Sequence, residues 1–370
     1  DYEGVKRSVA TSALLSLAAT VLLTAAGILT ARPLLEVMNT PADIIEDSYA
    51  YIIVIYYGVA ATAFYNLLSC IIRALGDSKT PLIFLVFASF LNVALDLLFI
   101  ITFHMGVGGA AWATVLSQGV SGLLCLGYAW RRFPLLRMEK RHWTFDWSYA
   151  WKHLRLALPM AMQFVITGTS VLVNQAVLNL FGSAAVAAFS AASKIHMLSE
   201  QVAVSFGTAM ATYAGQNYGA GKAGRVREGL RKCTLACEAI TLGIMVIMTA
   251  FGGVMSSWFI DGYHPEVIQQ AHLYLFISAL FYPALTMLFL YRNTLLGLGN
   301  GVTPMLAGVC ELLSRMIGAP VLGHFFGFTG LCWINPIAWV TASGLLFLSY
   351  RKTKREHTAS GSDSGCFGFE

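Results

Sequence analysis

The sequence predicts an all-α polytopic membrane protein made of two helical bundles that share one pattern. Three observations carry that prediction. Hydrophobic residues make up 57% of the 370-residue chain and charged residues only 12%, about half the ~25% usual in soluble domains. The apolar residues fall into ten runs long enough to span a bilayer as helices, which takes ~20 residues each; no strand-like alternation suggests a β-barrel. The chain also repeats itself. Gly76-Asp77-Ser78-Lys79-Thr80-Pro81 falls on Gly299-Asn300-Gly301-Val302-Thr303-Pro304, and the run from Gly106 to Trp112 falls on Gly327 to Trp333, the internal self-similarity from which many secondary transporters are built.

The spans follow in order. Residues 9–31 come after the basic stub Lys6-Arg7, and 47–74 after an acidic segment with Glu36, Asp43, Glu46 and Asp47. The tight turn at Gly76–Pro81 leads into 81–104, and the glycines at 106–109 open 107–130. These four spans form a first lobe, residues 1–130, incomplete against an expected six. A polar connection, 131–154, separates it from a second lobe at 155–350. That lobe holds six spans: 155–181, 184–214, 233–260, 268–298, 304–326 and 329–350, followed by a cytoplasmic tail at 351–370 whose small polar stretch Thr358–Gly365 is expected to be disordered. Pro159, Pro283 and Pro320 fall inside spans, where a lost backbone bond predicts kinks. An even number of missing helices keeps both copies entering and leaving on one side, a parallel repeat.

Charge sets the topology. All of the 24 Lys and Arg except Arg32, Lys194 and Arg315 fall in segments assigned to one face, with Arg292 counted there, while Asp261 and Glu266 join the acidic residues of the opposite loops. That bias places both termini in the cytoplasm, so the net charge of +5 reflects topology and implies no nucleic-acid partner. The seven cysteines form no CxxC pair, and Cys233 and Cys237, one helical turn apart, read as packing residues. Gly215-Gln216-Asn217-Tyr218-Gly219-Ala220-Gly221-Lys222-Ala223 imitates a phosphate loop, yet the spacing is off by one and Ala223 stands where a hydroxyl would hold Mg²⁺. No ATP site is expected and no cofactor; any pumping would draw on an ion gradient.

Ionisable side chains inside spans each need a reason. Asp96 follows Asn92 by one turn, about 12 Å in from the outer end at His104, and as a lone carboxylate is a candidate cation or proton carrier. Lys194 lies about 15 Å inside its span with no adjacent acid. Glu311 and Arg315, at i and i+4, read as a self-neutralising pair or as part of a cleft wall. Gln163 and Asn174 lie nearly on one helix face and could line a pore. Aromatic and Met residues such as Tyr57, Tyr65, Phe164, Tyr282 and Met287 could offer an adaptable wall to flat cations, although each is more often ordinary packing.

The ordered set Arg73-Ala74-Leu75-Gly76-Asp77…Thr80-Pro81, Asn92…Leu95-Asp96, Ala191-Ala192-Ser193-Lys194-Ile195, Gly215–Gly221 and Glu311-Leu312-Leu313…Arg315 resembles the multidrug and toxic compound extrusion (MATE) family, in the flavour of its DinF-like bacterial branch. The resemblance implies two six-helix lobes around a central cleft in a bacterial cytoplasmic membrane. It also implies Na⁺- or H⁺-driven antiport of bulky, often cationic or amphipathic small molecules. Under it, residue 1 follows the first lobe's counterpart of Gly219-Ala220-Gly221, so the first two family helices are expected to be absent from this chain, which opens on Asp1. A coupling carboxylate of the first family helix then has no position here. No Asp or Glu lies between 271 and 298, and Gln163 stands in the span that carries an acid in other branches. Two other readings are a lipid-linked sugar flippase, whose cleft should be rich in Arg and Lys, and a non-transporting remnant. An enzyme is disfavoured, because neither HExxH nor GxSxG is present.

Overall fold

The structure is a computed structural model that describes residues 2–37, 40–260, 262 and 264–359, of which 140, 141 and 354–359 by backbone alone. Among them, eleven α-helices make the fold and no strand forms. They are α1 (Tyr2–Val37), α2 (Ile45–Ala74), α3 (Lys79–Leu97), α4 (Gly106–Arg132), α5 (Trp147–Asn179), α6 (Gly182–Gly219), α7 (Ala223–Ser257), α8 (Pro265–Leu280), α9 (Tyr282–Gly297), α10 (Val302–Cys332) and α11 (Ile334–Ala359). The chain divides into two compact units between His153 and Leu154.

In the first unit α2 packs along α4, with α1 and α3 flanking them. The core is small: Tyr65, Leu68, Ile72, Cys125 and Ala129. Most apolar side chains of α1 and α3, among them Leu22, Leu29, Ile83 and Phe90, point outward, as helices with lipid for a neighbour do. The connection after α4 is folded, with 3₁₀ turns at Pro134–Leu136 and Lys140–Trp143. It is strapped to α1, because Nε2 of the buried His142 lies 3.0 Å from a Glu3 carboxylate oxygen and His153 Nε2 lies 3.0 Å from Ser8 Oγ.

The second unit is built around α6, which packs on α9, α7 and α8. Its buried face reads Ala185, Ala188, Ala192, Ala203, Gly207 and Ala214. These small side chains at helical spacing let neighbouring backbones close in, the association mode of helices in lipid. A Cβ on Gly207 would meet the Asn293 amide.

The repeat is visible in geometry as well as in letters. Gly76 and Gly299 both adopt left-handed backbone, φ 99° and 83°. The next residue then caps the following helix: Asp77 Oδ1 accepts from Thr80 N at 3.1 Å, and Asn300 Oδ1 from Thr303 N at 3.1 Å. Gly106 and Gly327 match too, at φ 58° and 60°.

Several expectations are corrected. The span read at 268–298 is two helices, α8 and α9, bent by 53°. Pro283 near the start of α9 leaves a carbonyl of α8 without its partner, whereas the matching position in α2 is Ala60 and that helix is unbroken. α5 and α10 run helically through Pro159 and Pro320, and the non-helical point of α10 is Gly327. The tail is helical to Ala359; the remainder of the expected disordered stretch, like Asp261, lies outside the described residues. Ten spans were expected. Seven helices are long and apolar enough to cross a membrane, eight if the bent pair counts as one span, among the described residues. The long helices outside that set are α6 and α11.

Candidate functional site

Two polar sites form, one within each unit. In the first, α3 carries Asn92 and Asp96 one turn apart on one face, and α4 crosses them antiparallel. Asn92 Nδ2 reaches Thr114 Oγ1 at 3.5 Å, and that hydroxyl donates to Ala110 O of its own helix at 3.1 Å. Asp96 Oδ1 is buried and meets no donor among the described residues. Immediately beyond it the helix loosens into a π segment, Leu98–Thr102, a feature often found beside functional groups. A carboxylate oxygen out of contact with water and without a donor is costly to keep. A bound cation or a proton would satisfy it. One turn past Thr114, Gln118 Oε1 is likewise buried without a donor.

The second site joins α5, α9, α10 and α11. Glu311 lies 3.6 Å from Arg315, one turn on, but its closer partner is Arg292 of α9, whose Nη2 donates to Oε1. Arg315 turns to other acceptors: Nη1 donates to Ser170 Oγ at 2.7 Å and Nε to Asn335 Oδ1 at 3.1 Å. Asn335 Nδ2 then donates to Tyr274 OH at 3.0 Å. The expected self-contained Glu311–Arg315 pair is therefore a three-residue ion cluster. Arg292, counted from sequence as an inner-surface charge, is buried inside the bundle. Gln163 is buried beside Gly308 of α10, while Asn174 is half-buried eleven residues on.

Sequence reasoning also missed an aromatic cage. His196 stacks on Trp339 at 5.4 Å, its Nδ1 lies 3.1 Å from Tyr282 OH, and its Nε2 lies 3.9 Å from Glu200. His196 and Glu200, at i and i+4 in an apolar span, stand out in the sequence as ionisable residues within the membrane; their distant partners on α9 and α11 were not legible. Tyr65 and Tyr282 are buried core residues, whereas Tyr57, Phe164 and Met287 are exposed.

Lys194 stands outside the second cluster. It is exposed, with Nζ 5.3 Å from the Phe259 ring centroid just beyond α7. It shares one face of α6 with Gln201, Ser205, Thr208 and Gln216, all exposed and opposite the small-residue face. Outside the spans, Asp77 gathers four donors. They are Thr80 Oγ1 at 2.7 Å, Tyr128 OH at 2.6 Å, and the backbone N–H groups of Lys79 and Thr80. The Thr80 and Tyr128 hydroxyls above all hold its carboxyl down, from 3.8 to about 2. Ser349, the repeat's counterpart of Tyr128, lies 3.2 Å from Thr303 Oγ1.

The profile of the family described as MatE matches residues 1–98 and 159–321, one stretch in each copy of the repeat. The chain belongs to the MatE family. It is 31% identical over 329 residues to the probable multidrug resistance protein YpnP of Bacillus subtilis, covering 88% of this chain and 70% of that one. It is 28% identical over 328 residues to the probable multidrug resistance protein NorM of Thermotoga maritima, covering 86% and 70%. Among solved structures, a MOP-superfamily transporter from Pyrococcus furiosus superposes with a TM-score of 0.88, 22% identity, and coverage of 95% and 79%; at that identity the likeness speaks for the fold. The MATE fold thus accounts for the all-helical, multi-pass architecture.

Proposed function

We propose that this MATE chain is part of a cation-coupled efflux carrier for small organic molecules, with Na⁺ or H⁺ exchanged at Asp96. One observation carries the reading: a buried Asp96 carboxylate oxygen without a donor, one turn from Asn92, whose amide meets Thr114 across the helix pair. A cation entering there gains a full charge interaction, and leaving restores an unsatisfied anion; such a group favours whichever conformation supplies its partner. The names of the relatives, which speak of multidrug resistance, support bulky, cationic or amphipathic compounds as the cargo. The sequence motifs support the DinF-like branch, and the distribution of Lys and Arg supports a bacterial cytoplasmic membrane with cytoplasmic termini.

The exposed face of α6 serves in this reading as a wall of the aqueous route. Ser205 and Thr208 return their hydroxyls to their own helix, to Gln201 O at 2.8 Å and Val204 O at 3.0 Å, so they would tolerate lipid. An ammonium carries a charge that such a bond does not neutralise, and Lys194 on that face favours water beside it. The sugar-lipid flippase loses ground, since Arg292 and Arg315 are both engaged with Glu311.

The test is transport by the full-length protein in liposomes. Dye or drug efflux should follow an imposed Na⁺ or H⁺ gradient, and Asp96→Asn should abolish the gradient dependence while leaving protein recovery unchanged. Gradient-driven export that survives Asp96→Asn would reject this assignment.

A further inference from the structure

The repeat pairs the two polar sites position by position. Ahead of the π segment, the match of Thr80 with Thr303 sets Asn92 against Arg315, Asp96 against Ala319, Ala88 against Glu311 and Ser69 against Arg292. Beyond it, the match of Gly106 with Gly327 sets Thr114 against Asn335. The π segment lies where the first copy is longer, so the helix loosens in the stretch where the register changes. Contacts agree with this pairing. Asn92 meets Thr114 in the first copy, and Arg315 meets Asn335 in the second.

The paired positions thus carry different chemistry: Asn92 and Thr114 stand where the second copy has Arg315 and Asn335, and Asp96, one turn past Asn92, stands where it has Ala319. In the first copy, an acceptor oxygen of Asp96 is buried without a donor. In the second, a hydroxyl (Ser170), an amide oxygen (Asn335) and a carboxylate (Glu311) converge from three helices on one guanidinium, at 2.7, 3.1 and 3.6 Å. Oxygens of these three kinds are what a hard cation such as Na⁺ takes as ligands.

We propose that the Arg315 guanidinium is a tethered stand-in for the coupling cation. It fills, between α10 and α11, which pair in the repeat with α3 and α4, the place an exchangeable ion takes in the first. The second unit is then permanently cation-filled, and ion exchange is confined to the first. The proposal rests on the reading of Asp96 as the exchangeable site. Arg315 is a positioning residue, holding α5, α10 and α11 through its three acceptors.

Removing the guanidinium should convert the second copy into an exchangeable site. The test measures thermal unfolding of the purified full-length protein in choline chloride, in NaCl, and with added guanidinium ion at low millimolar concentration. Wild type should respond to Na⁺ through Asp96 alone, so Asp96→Asn should be unresponsive. In the Asp96→Asn background, Arg315→Ala should lower Tm and gain a rise of several degrees with guanidinium or Na⁺ that Asp96→Asn lacks. Arg315→Lys, which keeps a tethered cation, should remain unresponsive. A folded Asp96→Asn/Arg315→Ala protein that ignores both cations overturns the proposal. If Arg315→Ala is not recovered, Arg315→Lys and Arg315→Asn decide: recovery of Lys but not of Asn supports the tethered cation, and equal recovery or equal loss overturns it. A wild type whose Na⁺ response survives Asp96→Asn defeats only the first-copy reading, because cation rescue of the single Arg315→Ala variant would still stand.

Discussion

Replacing Glu311 by Gln keeps the shape of the second cluster and removes the carboxylate that both guanidinium groups contact. Glu311 is 4% exposed, and Arg292 and Arg315 are 7% and 8% exposed, so water cannot take over the lost interaction. The two guanidinium groups do not suffer equally. Arg315 keeps Ser170 and Asn335, whereas Arg292 has Glu311 as its carboxylate partner and its Nε is already buried without an acceptor. Breaking a buried pair from one side costs about 3–5 kcal/mol, while replacing both members with neutral groups of similar volume is near neutral. Glu311→Gln should therefore lower unfolding free energy in mixed micelles by about 3–5 kcal/mol. Arg292→Met/Glu311→Gln should recover to within ~1 kcal/mol of wild type, a coupling of 2 kcal/mol or more on the order seen for contacting residues. A Glu311→Gln protein within ~0.5 kcal/mol of wild type, the scale of ordinary surface changes, would refute this account, as would strict additivity in the double variant.

Other outcomes follow from local geometry. Because the Asp77 pKa is depressed in the folded state, its stabilising contribution is complete above its ordinary value of 3.8 and disappears as pH falls toward about 2. Asp77→Asn should be about 0.3–1 kcal/mol less stable at neutral pH, the worth of an anion at a helix N-terminus, with the gap from wild type closing across that acidic window in a pH series. Gly327→Ala should cost about 1–3 kcal/mol, since φ 60°, ψ −143° is a conformation open essentially to glycine alone. Gly344→Ala, with open space around its Cβ, should be neutral or slightly stabilising in the same unfolding titration. With Cys70 and Cys366 replaced by Ser, cysteines placed at Gln201, Ser205 and Thr208 should react in vesicles with a charged maleimide. Cysteines at the lipid-type positions Leu22 and Leu29 of α1 should not; equal labelling of both sets would remove α6 from the aqueous route.

Much was legible without coordinates because spanning a bilayer imposes one-dimensional rules. Ten apolar stretches, tight Gly-Asp and Gly-Asn turns and the internal repeat predicted helices at every span, and each is helical. Asn92 and Asp96 were visible as one polar helix face because i and i+4 share a side by geometry alone. Helix breaks were less legible. Pro283 breaks its span while the helix runs on through Pro159 and Pro320, since proline removes one backbone bond but the surrounding packing decides whether the axis turns. Likewise α6 lacks a sufficiently apolar window, although its inner face is a close-packed stripe; what its outer face meets is a matter of neighbours.

The sequence by itself determined the membrane-spanning helices, the doubled pattern and the family, because periodicity, length and turn chemistry are local along the chain. Only the tertiary structure decided who pairs with whom: that Glu311 answers to Arg292 nineteen residues away, that Arg315 ties α5 to α11, and that His196 rests on Trp339. Electrostatic partners are selected by distance in space, and in a low-dielectric interior a carboxylate binds whichever cation the packing brings nearest, whatever their separation in the chain.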